Sequence, residues 1–162
     1  MLKYVDTKVV FREVPDEVTL AINISNCPNS CPGCHSSYLS EDIGEVLTIT
    51  RIKKLLKENE GVTAICFMGG DNDPKLINHY AKLLKETKHY LKVAWYSGKS
   101  ELSNEIDLFN FDFIKLGPYI EEYGPLDSRT TNQRFYKVVQ TSTGKSKLID
   151  LTDKFWRHET KN

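Results

Sequence analysis

No stretch of this sequence is apolar for long. The longest uninterrupted run, Ala64 to Met68, falls far short of the roughly 20 residues that a membrane helix needs. Neither charge sign dominates: 22 Lys and Arg face 22 Asp and Glu, so no global field concentrates nucleic acid or an anionic membrane surface. The opening residues lack the basic and apolar pattern of an export signal. These absences together lead us to expect a cytoplasmic protein that binds neither nucleic acid nor membrane. Internal repeats, low-complexity tracts and interdomain linkers are also missing. A carboxylate pair suited to hydrolysis is not evident, because Glu121 and Glu122 are chain neighbours with no partner motif. Cysteine is scarce too, with four residues. Three of them crowd into eight positions while Cys66 lies in the apolar run, which argues against two disulfides and for a metal.

What is present is an alternation of short apolar strands with amphipathic segments. A chain of 162 residues fits one domain, here residues 1–162, and buries roughly two thirds of the surface its unfolded form exposes. Val18, Leu20, Ile22 and Ile24 alternate with Thr19, Ala21 and Asn23, a strand pattern that ends at the cysteines. Residues Thr50 to Glu60 place Ile52, Leu55 and Leu56 on one helical face before Gly61. Thr63 to Met68 reads as a strand buried on both faces and runs into Gly69-Gly70-Asp71. Asp73 then caps a helix with Pro74 at its first position, and Leu76, Ile77, Tyr80, Leu83 and Leu84 supply the inward stripe.

A third strand, Lys92 to Tyr96, ends in Ser97-Gly98, and a short helix from Ser100 to Phe109 leads to a fourth strand, Phe111 to Leu116. Connections too long for hairpins imply parallel crossovers, with functional loops at the strands' carboxyl ends. A full eight-stranded barrel takes about 250 residues. The expectation is therefore an α/β fold, a partial, open (β/α) barrel with a mostly parallel sheet. Met1 to Glu13 is expected to add a strand or hairpin on one side. Phe135 to Thr141 and Lys147 to Leu151, joined by a Ser-Thr-Gly turn, are expected to close or cover the other. Trp156 and the Lys and Arg residues around it receive no assignment.

The cysteines stand in Asn26-Cys27-Pro28-Asn29-Ser30-Cys31-Pro32-Gly33-Cys34-His35, a Cys-x3-Cys-x2-Cys pattern. Three thiolates on one short loop suit three corners of an iron-sulfur cube and leave the fourth iron without a protein ligand. Structural zinc sites normally take four protein ligands. A Cys3His zinc site would have to recruit His35, awkwardly adjacent to Cys34. Three thiols with no metal are the third reading. Cys66 reads as core packing, since free cysteine is among the most buried residues.

The spacing after a first strand resembles the signature of the radical S-adenosylmethionine (SAM) superfamily. Gly69-Gly70-Asp71, after the next core strand, resembles that superfamily's Gly-Gly-Glu type motif, whose exposed backbone binds the amino end of the SAM methionine. Taken alone, Gly-Gly-Asp is equally an ordinary strand-to-helix turn. A closer similarity, from about Val18 to Tyr136, is to the activating proteins of anaerobic (class III) ribonucleoside-triphosphate reductases. It is carried by the small size, by Trp95-Tyr96-Ser97-Gly98 and by Thr130-Thr131-Asn132-Gln133-Arg134. Lys99 replaces a Tyr expected after the glycine, and Lys115-Leu116-Gly117-Pro118 stands where many members have Val-Asp-Gly.

This resemblance implies a radical SAM fold, a [4Fe-4S] cluster on Cys27, Cys31 and Cys34, and SAM as second cofactor. The implied cofactor-binding residues are Gly33, Cys34, His35, Gly69, Gly70, Asp71 and Ser97, and no side chain is required as a general base. His35 reads either as a hydrogen-bond donor to a cluster sulfide or adenine neighbour, or as a polar loop residue. The implied reaction is reductive SAM cleavage that leaves a glycyl radical on the large reductase subunit. A flavodoxin or ferredoxin type protein is the implied electron donor. Other glycyl-radical enzymes or a small molecule are alternative targets, and a zinc-stabilised interaction module is the non-catalytic alternative. Candidates for a protein-docking rim are Tyr119, Tyr123, Arg129, Asn132, Gln133 and Arg134, each of which also suits a tail packed on the sheet edge.

Overall fold

The computed structural model describes residues 1–156; Arg157 and Lys161, part of the basic tail noted above, lie outside them. Along the chain run β1 (Lys3–Val10), β2 (Thr19–Ile24), β3 (Glu45–Val46), α1 (Ile49–Glu58), β4 (Ala64–Met68), α2 (Pro74–Thr87), β5 (Lys92–Tyr96), β6 (Phe113–Leu116), β7 (Arg134–Gln140) and β8 (Ser146–Asp150). The strands form one open sheet in the order β3-β1-β2-β4-β5-β6-β7-β8.

The expected partial barrel with a mostly parallel sheet is not what forms. Three pairings are parallel, β2–β4, β4–β5 and β5–β6, while β1–β2, β1–β3, β6–β7 and β7–β8 are antiparallel. The architecture is an open, mixed eight-stranded sheet with two α-helices among the described residues. Long crossovers enforce parallel pairing only where they occur, between β2 and β6. Outside that stretch the chain folds back, over eight residues between β1 and β2, seventeen between β6 and β7 and five between β7 and β8, and these strands pair antiparallel. The β7–β8 turn shows this: Thr141 N–H donates to Lys145 O at 2.7 Å, and Gly144 takes a positive φ of 79°.

The helix expected over Ser100 to Phe109 is also absent, replaced by turns and a 3-10 turn at Leu108–Asn110. Its polar side chains take the backbone donors that a helix needs. Ser103 Oγ accepts from Glu105 N–H at 3.2 Å and Asp107 Oδ1 from Phe109 N–H at 3.0 Å. By contrast, α2 forms as its sequence dictates. Asp73 caps it by accepting from Leu76 N–H at 3.2 Å, and Pro74 occupies its start, where no amide donor is needed.

Each helix turns one apolar stripe to the sheet. Ile52, Leu55 and Leu56 of α1 and Ile77, Tyr80, Ala81 and Leu84 of α2 are buried with Leu20, Ile22, Ile65, Phe67, Val93 and Trp95 from one sheet face. The opposite face carries a smaller cluster, Val14, Cys66, Ala94, Phe113 and Phe135, flanked by Met68, Tyr96, Leu151 and Phe155. Two chain segments rather than α-helices cover it, one after β1 and one after β8, the latter with a 3-10 turn at Thr152–Phe155. Small residues at its centre, Ala21, Cys66 and Ala94, are register neighbours across three strands. Among the described residues no helix is long and apolar enough to cross a membrane.

One buried hydrogen bond ties α2 to the segment that enters α1: Tyr80 Oη donates to Leu47 O at 2.7 Å. Tyr80→Phe leaves that carbonyl without its partner, and urea denaturation is expected to show a loss of about 1–2 kcal/mol. An unchanged midpoint would exclude this contact as a support of the helix layer.

Candidate functional site

Every parallel strand ends its last residues at the same edge of the sheet, and there the open face holds a cavity of about 1010 Å³. Asn23, Met68, Tyr96, Lys115 and Phe135 are successive register partners across β2, β4, β5, β6 and β7. Met68, Tyr96 and Lys115 line the cavity from below. The loops after β2, β4, β5 and β6 supply Cys27, Cys31, Cys34, His35, Gly69, Asp71, Gly98, Gly117 and Tyr119 to its walls. Thus residues scattered over some ninety positions meet because parallel strands deliver their loops to one side.

The cysteine loop takes a shape few sequences allow. Asn26, Ser30 and Gly33 all have positive φ, at 59°, 43° and 75°, a region costly for residues with a β-carbon. The loop is fastened at its entry by Asn26 N–H to Glu41 O at 3.1 Å and Cys27 N–H to Leu39 O at 2.9 Å. Buried Leu39, in a 3-10 turn, anchors the return. Cys27, Cys31 and Cys34 are each partly exposed and free of disulfides, whereas Cys66 is buried. Burial pushes the Cys66 thiol well above its ordinary range, and its Sγ packs 3.4 Å from Met68 Sδ.

Asp71 joins this loop to the sheet. Its Oδ2 accepts from Asn29 Nδ2 and from Gly98 N–H, both at 2.8 Å, and its Oδ1 from Ser97 Oγ at 2.6 Å. Asn29 Nδ2 also lies 3.6 Å from Cys27 Sγ. A β-carbon on Gly98 would overlap that same amide group, so the missing side chain is what lets the cysteine loop reach the carboxylate. Ser97 is buried, and its carbonyl accepts from Lys115 Nζ at 3.3 Å.

The glycines divide their roles. Gly69 lines the cavity, with its N–H donated to Tyr96 O at 3.1 Å and its carbonyl accepting from Trp95 Nε1 at 2.7 Å. Gly70 is buried at φ 100° and faces Ile77, whose side chain a β-carbon would meet at 2.7 Å. It serves the packing of α2, and its carbonyl takes Asp73 N–H at 3.0 Å. Ser97 likewise acts through Asp71 and does not line the cavity.

Lys115 is the feature that sequence reading left without a role. Its Nζ is buried beneath the cavity, donates to Gly117 O at 2.9 Å and lies 5.7 Å from the Tyr96 ring centroid. Burial brings its pKa down to about 8, partly offset by the negative charges of Asp71, Cys31 and Cys34. The signal available in sequence was a lysine inside the apolar strand Phe-Ile-Lys-Leu. Tyr96 is also deeply placed, and burial raises its phenol well above the ordinary value; its Oη donates to Glu13 O.

His35 is exposed at the rim and tilts against Tyr119 with ring centroids 5.7 Å apart. Gly33 packs toward the same Tyr119 and Glu121. Of the other rim candidates, Gln133 lines the cavity, and Asn132 Nδ2 braces Pro118 O at 3.0 Å. Arg134 pairs with Asp150 at 3.7 Å, Arg129 covers the Trp156 ring at 5.4 Å, and Tyr123 is exposed outside the cavity lining.

Among the described residues no three His, Cys, Asp or Glu side chains stand gathered as a finished metal site. The donor chemistry nevertheless fits an iron-sulfur cluster. Three soft thiols share one loop and one cavity wall, and a buried cation lies beneath them. Comparison of the chain with protein-family models, curated proteins and solved structures finds no match.

Asp71→Ala removes the shared acceptor of three donors. The expected result is a stability loss of about 2–3 kcal/mol in denaturant titration, together with faster labelling of the loop thiols by a soluble disulfide reagent in metal-free protein. Unaltered labelling kinetics would mean that Asp71 does not restrain the loop.

Proposed function

We propose that this chain is a radical SAM activase that generates a glycyl radical on the large subunit of an anaerobic ribonucleoside-triphosphate reductase. The observation that carries the reading is the meeting of Cys27, Cys31 and Cys34 with Gly69 and Asp71 around one cavity, with Asn29 bridging the two loops. Cys27, Cys31 and Cys34 would hold a [4Fe-4S] cluster, and the Gly69 end of β4 would border the SAM amino-acid moiety. When bound, that cluster would supply the one electron for reductive cleavage of the SAM sulfonium, the chemistry that would lead to removal of a hydrogen atom from a glycine of the reductase.

The chain's own residues bind, orient and shield. Asp71 holds the cysteine loop against the ends of β4 and β5. Lys115 places an ammonium group beneath the cavity wall that carries Cys31 and Cys34. Tyr96, Met68 and Phe155 line the interior with groups that exclude water. In this reading the protein is cytoplasmic, draws its electron from a flavodoxin or ferredoxin type partner, and binds no nucleic acid.

Anaerobic reconstitution with iron and sulfide, with spectra taken before and after SAM, tests the reading. We expect a cluster whose spectrum shifts on SAM addition, reductive formation of methionine and 5'-deoxyadenosine, and a glycyl doublet in the paramagnetic resonance spectrum of the added reductase. About one zinc per chain with no iron or sulfide would overturn the cluster. Alanine at Cys27, Cys31 or Cys34 is expected to abolish SAM cleavage. Cys66→Ala is expected to retain it while losing about 1 kcal/mol of stability; retained cleavage in Cys31→Ala would contradict the ligand assignment.

A further inference from the structure

On one side the sheet ends in a strand that is only partly paired. β3 meets β1 at Lys3 and Tyr4 alone, while Asp6 to Val10 pair with β2 and, among the described residues, with no other strand. Ser25 N–H donates to Lys3 O at 2.9 Å, and Val18 O accepts from Thr63 and Ala64 N–H on the opposite side of β2. Odd-numbered residues of β2 therefore bond to β1, and the register gives Asn23, Ala21 and Thr19 to Asp6, Lys8 and Val10. The alternate residues of β1, Thr7 and Val9, aim their N–H and C=O groups outward. A groove of about 400 Å³, bordered by Val5, Thr7, Gly44 and Leu55, leaves room beside them.

Such an edge is a template for another strand, and a lysine on it ordinarily blocks pairing. Lys8 is exposed and makes no ion pair among the described residues. Asp6, two positions earlier, stands on the same face of the strand and accepts from Asn23 Nδ2 through one oxygen. The edge reads Val5-Asp6-Thr7-Lys8-Val9, and its charges select a register. Antiparallel pairing of two copies about a two-fold axis sets one residue opposite its own copy. Centring on Asp6 or on Lys8 opposes like charges, and centring on Val9 runs past the end of β1 at Val10. Centring on Thr7 sets Asp6 of each copy against Lys8 of the other and Val5 against Val9. The opposite edge of the sheet has no such register, because Lys147 and Asp150 of β8 lie three positions apart and on different faces.

We infer that β1 is a homodimer interface: two copies of this chain pair antiparallel from Val5 to Val9, joining their sheets edge to edge. Thr7 N–H of each copy donates to Thr7 O of the other, and two Asp6 to Lys8 pairs flank that centre. Exposed Val9 is covered by Val5 of the second copy. The ladder is short, so the dimer is weak and reversible, and it requires neither cluster nor SAM.

Sedimentation velocity on metal-free protein, from micromolar to millimolar concentration, tests this, with a phosphine reductant present so that cysteines cannot cross-link chains. Wild type is expected to dimerise. Asp6→Lys and Lys8→Asp each place like charges opposite one another twice, and each is expected to weaken dimerisation more than about tenfold. An equimolar mixture of the two is expected to dimerise about as tightly as wild type, since every pair is again of opposite sign. Thr7→Pro removes the outward donor without touching the β2 ladder and is expected to be monomeric, with unchanged near-ultraviolet circular dichroism. A wild type that stays monomeric throughout would overturn the inference. So would variants that dimerise as tightly as wild type, or a mixture of folded variants no tighter than its components, since either result puts the contact elsewhere. Where loss of the Asn23 contact unfolds Asp6→Lys, Lys8→Asp and Thr7→Pro decide alone.

Discussion

The Asp71 carboxylate is the contact on which the arrangement of the site depends. It stands at the carboxyl end of β4 and accepts from the cysteine loop through Asn29 and from the end of β5 through Ser97 and Gly98. Hydrogen bonds to a carboxylate are about twice as strong as neutral ones, and these converge on one residue from segments far apart in sequence. Without that acceptor, the loop bearing Cys27, Cys31 and Cys34 would keep its anchors at the Asn26–Cys27 entry and lose its hold on the neighbouring strand. The contact also explains a glycine. A β-carbon at position 98 would overlap Asn29 Nδ2 and displace the amide that reaches Asp71.

The two sheet faces are built for different tasks. Helices α1 and α2 bury large aliphatic and aromatic side chains against one face, supplying the bulk of the apolar burial that stabilises a domain of this size. The other face is narrow at its centre, with Ala21, Cys66 and Ala94 in register. Small side chains there leave depth for a cavity, which the segments before β2 and after β8 wall without filling. The buried lysine fits this division. Lys115 points to the cavity face, where two carbonyls and the Tyr96 ring receive its ammonium group, while Ile114 beside it is buried in the helix-side core.

Much of the local structure was legible in the sequence, because local signals control it. The cap at Asp73 with Pro74, the alternation before the cysteines and the apolar run before Gly69 each stand in the structure near their expected places. The helix over Ser100 to Phe109 did not form because Ser103 and Asp107 satisfy backbone amides locally, a competition that apolar periodicity alone does not reveal. The sheet was misjudged for a longer-range reason. A mostly parallel partial barrel followed from the crossovers between β2 and β6, but connection length does not set pairing direction at the flanks, since the β6–β7 connection is as long as the β5–β6 crossover and yet pairs antiparallel.

Sequence by itself determined the donor set and its punctuation: three thiols at short spacing, the Gly-Gly-Asp turn, and where the main strands and helices lie. These follow from residue chemistry and backbone preference, which act over a few positions. Tertiary structure alone decided that Gly70 packs against α2 while Gly69 reaches the cavity, that Ser97 serves Asp71, and that Lys115 lies under the thiols. It also brought Trp156 to the lining of the same cavity as the cysteines. Such facts depend on which strands become neighbours and in which register, and register is set by the summed burial of the whole sheet rather than by any one segment.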